Sequence, residues 1–520
     1  MLWIRGSAQV LSSGALCGLM LQMPELTGHE DLRDLMRSFT GNSVVGHYAM
    51  CLQTRTGAAL VTDHMGSIPI FYSRGVAGTD LFAVSRLSGL GEVDRASVAE
   101  FLQAGYVTSP YTVIKGVRRL DPGSVISFST TEFESINYWL PHADPRESIP
   151  DVAAEIRDAT RVNLANAISR YPTALLMYSG GEDSRVLAKL LLDSGSDSST
   201  DAAVHAVTFL DDKNREYRLA RLSAVALGLG HEVRWRDSRQ YVTELALTVQ
   251  QSTSVWAMEH AHARGLLDAD EADVFVDGWA ADMFLKGEST PTRQRQWRGL
   301  PLGLHKSAGP AALTTITGPC QEEVGVRRQA KLAQVQRFRP EDAVEWAQMW
   351  PISDRSSFGF FASNHSERRS LSPFLLGNVV TPASSLPERA KLNRRLFWEA
   401  FGRDLGIAGM ISRTDGELPR LSANTNVPVT FLNRARMRAK AWVNGVIGLP
   451  NGNQGPWQDV AARRSAFLTT AQTSVDPEAL WEASHLRGDA AAQLAGLDPD
   501  GILRTLQIAE LITQDRLSLN

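Results

Sequence analysis

The segment Ser179-Gly180-Gly181-Glu182-Asp183-Ser184 gathers two glycines, two hydroxyls and two carboxylates within six residues. Before it, Ala174-Leu-Leu-Met-Tyr178 is a short apolar run of the kind a buried parallel strand needs. After it, Val186, Leu187, Leu190 and Leu191 share one helical face, so Asp183 or Ser184 can open a helix. A glycine-rich turn between a strand and a helix N-terminus is an anion site. Its N–H groups point outward, the helix dipole adds positive potential, and glycine lets a phosphate approach the backbone. Ser179 and Ser184 can add hydroxyl donors. Asp183 is a poor partner for a bare phosphate, which assigns it to a metal that bridges to phosphates. The Gly-Lys-Ser/Thr ending of a Walker loop is missing. A purely structural Gly-Gly turn is the alternative, and the strand–turn–helix context disfavours it.

Two further segments read as parts of the same sheet. Ala206-Val207-Thr208-Phe209-Leu210 is strand-like, and Arg218 to Leu229 is helix-like, ending at Gly230. The stretch Asp273-Val-Phe-Val-Asp-Gly278-Trp-Ala-Ala-Asp282-Met-Phe-Leu-Lys-Gly287 runs strand, glycine turn, Asp. Taken alone, Asp282 is as well explained as a helix cap.

These segments need a scaffold. The chain has 520 residues, which at about 100–200 residues per domain allows two to four domains. Residues 1–140 are strand-rich, as in Ala59-Leu-Val-Thr62 and Ile68-Pro-Ile-Phe-Tyr72, with a helix over Ser97 to Gln103. Ala8 to Met23 reads as two short strands around a Ser-Ser-Gly turn rather than as a signal peptide. The polar, two-proline stretch from His142 to Pro150 reads as a linker. From Asp151 onward helix-period segments alternate with short apolar runs, which predicts an α/β unit with a parallel sheet. Two domains follow, 1–145 and 150–520. Gly287 to Arg298 and Asn451 to Pro456 read as loops, and Ile502 to Leu511 as an amphipathic helix.

Composition narrows the class. Lys and Arg number 53 against 57 Asp and Glu, a net charge of −4, which argues against nucleic-acid binding through a bulk positive field. The basic run from Arg434 to Lys440 reads as a solvated helix face, with a leader peptide or partner protein as its alternative contact. Eighteen consecutive apolar residues occur nowhere, so no membrane span is expected and the reading is cytoplasmic. Three cysteines, Cys17, Cys51 and Cys320, cannot make a disulfide framework. Zinc spacings and a Gly-x-Gly-x-x-Gly strand–helix junction are both missing.

The Ser-Gly-Gly-x-Asp-Ser segment resembles the signature of the PP-loop ATP pyrophosphatases, which release AMP and pyrophosphate. The segment at 278–287 resembles Gly-x-Gly-x-Asp-x-x-Phe-Gly-Gly of asparagine synthetases. Gly46 to Met50, Val61 to Tyr72 and Val113 to Gly123 resemble the glutaminase-type domain of the asparagine synthetase B superfamily, so the likeness runs from about residue 40 to 400. It implies an Ntn-hydrolase-like α+β sandwich followed by a PP-loop (adenine nucleotide α-hydrolase-like) parallel sheet with helices. It implies ATP and Mg2+ as cofactors. Ser179, Gly180, Gly181, Asp183, Ser184 and Gly278 would hold the nucleotide, Val207 and Phe209 would line the adenine pocket, and Asp183 and Asp282 would hold the metal.

Three departures shape the expected function. The family's glutaminase nucleophile is an N-terminal Cys, whereas Met1 is followed here by Leu2, and Cys17 and Cys51 are internal. A degenerate glutaminase-like domain is therefore expected, with glutamine not the nitrogen donor, as in β-lactam synthetases, carbapenam synthetases and lasso-peptide cyclases. Trp279 stands where the family places Glu, Tyr or His, and indole cannot act as a base. It is either an apolar wall for the substrate or core. In Ile411 to Pro419, Arg413 matches the family's Arg-x-Lys segment, but Asp415 occupies the Lys position. Lys391 or Arg394 and Arg395 are the candidates to replace that charge, with phosphate contacts from Arg413 alone as the alternative; Arg413 and Lys391 are the expected catalytic pair. In Glu367 to Leu375, Leu371 stands where the family carries Arg. The resemblance implies an amide ligase that adenylates a small-molecule or peptide carboxylate, such as a lasso-type macrolactam cyclase, with a leader-peptide-binding or protease protein as partner. Its alternatives are amidation with free ammonia and a non-catalytic nucleotide-binding homologue.

Overall fold

The computed structural model describes residues 2–3, 8–22, 39, 44–237, 256–287, 318–446, 465–470 and 497–513, with short gaps inside these spans. The expected loops at 288–298 and 451–456, and Asp415, lie outside the described residues. The protein is mixed α/β.

The N-terminal strands are β1 (Leu2–Trp3), β2 (Ala8–Leu11), β3 (Gly14–Gln22), β4 (Val45–Thr54), β5 (Gly57–Thr62), β6 (Phe71–Ser73), β7 (Val76–Gly78), β8 (Arg118–Arg119), β9 (Ser124–Phe128) and β10 (Phe133–Asn137). They form a six-stranded antiparallel sheet in the order β10-β9-β5-β4-β3-β2 and a four-stranded sheet in the order β1-β7-β6-β8. Period-2 alternation gives β4 two buried faces. Tyr48, Met50 and Leu52 pack with Ala59, Val61, Val125 and Phe39 on one side. Ala49 packs with Leu60, Ile126, Ile70, Ala77 and Leu120 on the other, where the two sheets meet face to face. Helices α1 (Leu81–Leu87) and α2 (Arg95–Ala104) start where the Asp80 and Asp94 carboxylates accept first-turn N–H groups.

Helix α3 (Ile149–Arg170) begins inside the stretch expected as a linker. Ser148 accepts the Asp151 N–H at its N-cap, and Pro150 sits in the first turn, where its missing donor costs nothing. The second half then builds β11 (Thr173–Met177), α4 (Glu182–Asp197), β12 (Ala203–Leu210), α5 (Arg215–Leu227), β13 (Gly230–Trp235), β14 (Val274–Val276), the short α6 (Ala281–Phe284), α7 (Gln321–Gln336), α8 (Phe358–Glu367) and β15 (Ser370–Leu371). With Asn214 as N-cap, α5 starts at Arg215, three residues before the expected Arg218, and left-handed Gly228 ends it early.

These strands make one parallel sheet in the order β13-β12-β11-β14-β15. The chain leaves central β11 toward β12 and β13, then returns to β14 on the other side of β11. The carboxyl ends of β11 and β14 therefore flank the topological switch point, where open α/β sheets bind ligands. Both faces are covered. Leu176 and Val276 join Val186, Leu187, Leu190 and Leu191 of α4 in the main core, while Leu175, Met177, Val207, Phe209 and Phe275 form the opposite apolar layer.

Among the described residues, strands of the three sheets do not pair across sheets, yet the main core is continuous from Val98 and Phe101 of α2 to Trp256 and Ile156. Helix Pro499–Thr513 adds Ile502, Leu503 and Leu506 to it. A buried ion pair also crosses between the halves, Arg119 to Asp354 at 2.9 Å. Arg119 donates further to Ser353 Oγ, and Asp354 accepts from the Ser109 N–H and hydroxyl. Among the described residues, no helix is long and apolar enough to cross a membrane.

Candidate functional site

The turn after β11 is built by its glycines. Gly180 adopts φ +69°, and a Cβ there would lie 2.5 Å from the Ala220 Cα, so only glycine lets the turn lie against α5. The Gly181 N–H donates to Ser179 Oγ at 3.2 Å, and the Ser184 hydroxyl donates to the Gly181 carbonyl at 3.1 Å. Arg185, fully buried, ties the turn from behind. It donates to the Gly180 carbonyl at 2.8 Å and to the Ala408 carbonyl at 2.9 Å, which fixes the 408–412 segment beside it.

The turn opens on a cavity of about 300 Å³, large enough for a small ligand. Its lining comes from the ends of three adjacent strands: Met177 to Ser179 after β11, Val207 to Phe209 on β12, and Asp277 to Trp279 after β14. Asp183, Ser184, Glu216, Ser357 and Phe360 complete it. The expected nucleotide residues Ser179, Asp183, Ser184, Val207, Phe209 and Gly278 thus all face one space, with Gly180 and Gly181 forming the turn behind it.

Trp279 is both wall and packing. It lines the cavity while its ring stacks on Phe361 at 5.6 Å. Phe361 in turn touches His365 and His47, the last lying on β4 of the N-terminal sheet. A polar path runs alongside. Asp277 Oδ1 accepts the Ser372 hydroxyl at 2.8 Å and the Trp279 N–H at 2.9 Å, and the Ser372 N–H donates to His47 Nε2 at 3.2 Å.

Two cavity carboxylates escaped the sequence reading. Asp277 is buried, and among the described residues its Oδ2 has no hydrogen-bond partner. Burial pushes its carboxyl up to about 6, against the pull of the Ser372 and Trp279 hydrogen bonds. Glu216, in the first turn of α5, is pushed up to about 7 by burial, with Arg236 opposing. The signal for Asp277 was its place at the carboxyl end of a parallel strand, directly before the glycine turn.

Beside the cavity sits a charged cluster. Glu182 is buried and accepts from Arg394, Arg413 and Lys286. Burial alone would raise its carboxyl, but the three cations hold it well below the usual carboxylate range. Asp183 is raised to about 7 by burial, with Lys286 opposing and the Asp282 and Glu182 charges adding. Arg413 therefore reaches the site through Glu182. Lys391 does not reach it. Its ammonium is fully buried and spent on Glu388 at 2.6 Å, above the Trp346 ring. Arg394 reaches Glu182 instead, while Arg395 is exposed. Leu371 is buried in β15, paired with Val276, where an Arg side chain would have no room for its charge.

The ammonium that the cluster does contain belongs to Lys286. Asp183 and Asp282 meet as expected, but around this lysine. Its Nζ lies 2.7 Å from Asp183, 2.5 Å from Asp282 and 3.0 Å from Glu182. A Mg2+ held by both Asp residues would need the same space, about 2.0–2.1 Å from each oxygen. Among the described residues, no group of three or more His, Cys, Asp or Glu side chains is arranged to hold a metal ion. As placed, Asp183 and Asp282 do not fit Mg2+. The sequence signal was the i,i+4 spacing of Asp282 and Lys286.

Comparison with known proteins bears on the first half of the chain. Residues 37–139 match the glutamine amidotransferase domain family. The matched span contains β4 to β10, four strands of the six-stranded sheet and three of the four-stranded one. Such a domain is consistent with the N-terminal part of asparagine synthetase-like proteins. A search of curated proteins found no match.

Proposed function

We propose that this chain is an ATP-consuming carbon–nitrogen ligase that adenylates a carboxylate and passes the acyl group to an amine. The observation that carries this reading is the Ser179–Ser184 turn, opening on a cavity at the switch point of a parallel sheet. Val207 and Phe209 offer apolar surface to the adenine ring, and Ser179 and Ser184 of the turn line the same space at the phosphate end. The amidotransferase-type domain at 37–139 supports amide chemistry over other uses of ATP.

In this mechanism a substrate carboxylate oxygen bonds to the α-phosphorus and pyrophosphate leaves. The amine nitrogen then bonds to the acyl carbon, and AMP departs with the electrons of the broken C–O bond. The amine must shed a proton, and Trp279 cannot take it. Asp277, with its free Oδ2 on the same wall, receives it. Fixed donors of the turn stabilise the leaving groups without reorganising, and Arg413 and Arg394 keep the turn in shape through Glu182. The substrate is a peptide or small molecule that carries its own amine and closes a ring. Free ammonia is the competing donor.

The test is carboxylate-dependent ATP–pyrophosphate exchange, with candidate peptides and small acids, in wild type and Asp183→Ala. Exchange lost in the variant supports the ligase. Amide product formed in assays lacking ammonia assigns the amine to the substrate. Wild type that binds no ATP overturns the proposal.

A further inference from the structure

We propose that Lys286 is the resident cation of the carboxylate cluster, holding Asp183 and Asp282 where a divalent metal would otherwise bridge them. Each of these carboxylates has a cationic contact without an ion, although Asp183 Oδ1 accepts no hydrogen bond among the described residues. An ammonium has three N–H donors, and three carboxylates, Glu182, Asp183 and Asp282, stand 2.5 to 3.0 Å from its nitrogen. The side chain is buried, and its Nζ lies 4.9 Å from the centre of the Phe397 ring.

Its backbone leaves little freedom to retreat. The Arg394 N–H donates to the Lys286 carbonyl at 3.3 Å, and the Phe397 N–H to the Leu285 carbonyl at 3.1 Å. The next residue, Gly287, has φ +66°, and a Cβ there would lie 2.9 Å from the backbone of Lys391 and Leu392. Lys286 is therefore clamped on both sides. Together, Lys286, Arg394 and Arg413 set three cations against the three carboxylates, in five ion pairs. A metal between Asp183 and Asp282 would sit against the ammonium of a lysine whose backbone is anchored, a like-charge contact at short range.

Lys286 is thus a positioning residue. It fixes the Asp183 carboxylate at the mouth of the cavity, and the site takes its nucleotide without a metal bridging these two residues. The nucleotide part rests on the ligase reading above; the place of the cation does not.

The experiment is a titration of the full chain with Mn2+, followed by electron paramagnetic resonance in the absence of nucleotide. Wild type is expected to bind no Mn2+ that depends on Asp183 or Asp282. Lys286→Met, which keeps the length of the side chain, is expected to gain a single Mn2+ per chain, lost again when Asp183→Asn is added. Stoichiometric Mn2+ binding by wild type that Asp183→Asn or Asp282→Asn abolishes overturns the proposal. The wild-type titration decides even where Lys286→Met fails to fold. A second arm measures ATP and AMP binding by equilibrium dialysis in Mg2+ and in EDTA. AMP affinity within about twofold between the two supports the lysine, and a loss above about tenfold in EDTA overturns it. Wild type that binds neither nucleotide in either buffer removes the ligase reading, while the Mn2+ result still judges Lys286.

Discussion

Gly278 and Asp183 touch across two strands: a Cβ built on Gly278 would lie 2.9 Å from the Asp183 Cβ. The turn after β14 thereby sets the position of the turn after β11. Gly278→Ala should push the two apart and widen the phosphate end of the cavity. Nucleotide affinity should fall at least about tenfold, with a smaller loss of stability of about 1–3 kcal/mol. Calorimetric titration and urea unfolding measure the two separately. Equal affinity in the variant would mean that Asp183 is placed by other contacts.

Gly180 should be still less tolerant. Its φ of +69° and its 2.5 Å approach to the Ala220 backbone both forbid a side chain. Gly180→Ala is expected to lower stability by about 2–4 kcal/mol, through αL strain and overpacking together. The midpoint of urea unfolding reports it.

Asp277 should have a pH signature. Its folded-state carboxyl titrates near 6, above the ordinary Asp range, so the folded protein binds this proton more tightly than the unfolded chain. Stability from this group is greatest below about pH 4, declines as pH rises to about 6, and is level above that. Asp277→Asn should therefore gain stability at pH 8 relative to pH 4, by about 1–3 kcal/mol. If Asp277 takes the amine proton, the same variant keeps ATP–pyrophosphate exchange but loses amide formation and its rise in rate through pH 6. Parallel loss of both activities would assign Asp277 to binding.

The ion pair between Arg119 and Asp354 should couple the two halves. Asp354→Ala leaves the Arg119 guanidinium buried without its anion and should cost about 3–5 kcal/mol. Replacing both residues by apolar ones should cost less than that single change. A double-mutant cycle by urea denaturation checks the ordering.

Much of the scaffold was legible because its signals are local. The run Ala174–Tyr178 is apolar throughout because β11 is buried on both faces, and the glycines at 180 and 181 mark the turn that follows. The start of α3 was hidden because prolines and polar residues that read as a linker are also good first-turn residues. Within the site, residues on the Ser-Gly-Gly turn could be named because backbone geometry restricts their types. The partner of Asp183 could not. Lys286 lies 103 positions away, Arg394 and Arg413 farther still, and their meeting depends on how the segments after β14 and β15 pack. Lys391 showed the reverse. A lysine at a plausible distance in sequence was spent on Glu388, three residues before it, and burial closes that pair off from the site.

The path from Asp277 through Ser372 to His47, with Trp279, Phe361 and His365 stacked beside it, makes the N-terminal sheet part of the cavity's elastic surroundings. A ligand that presses on the Trp279 indole loads β4, and a loosened β4 softens the wall. The amidotransferase-type domain thus lends the cavity wall a packed backing, through His47 against Phe361 and Ser372.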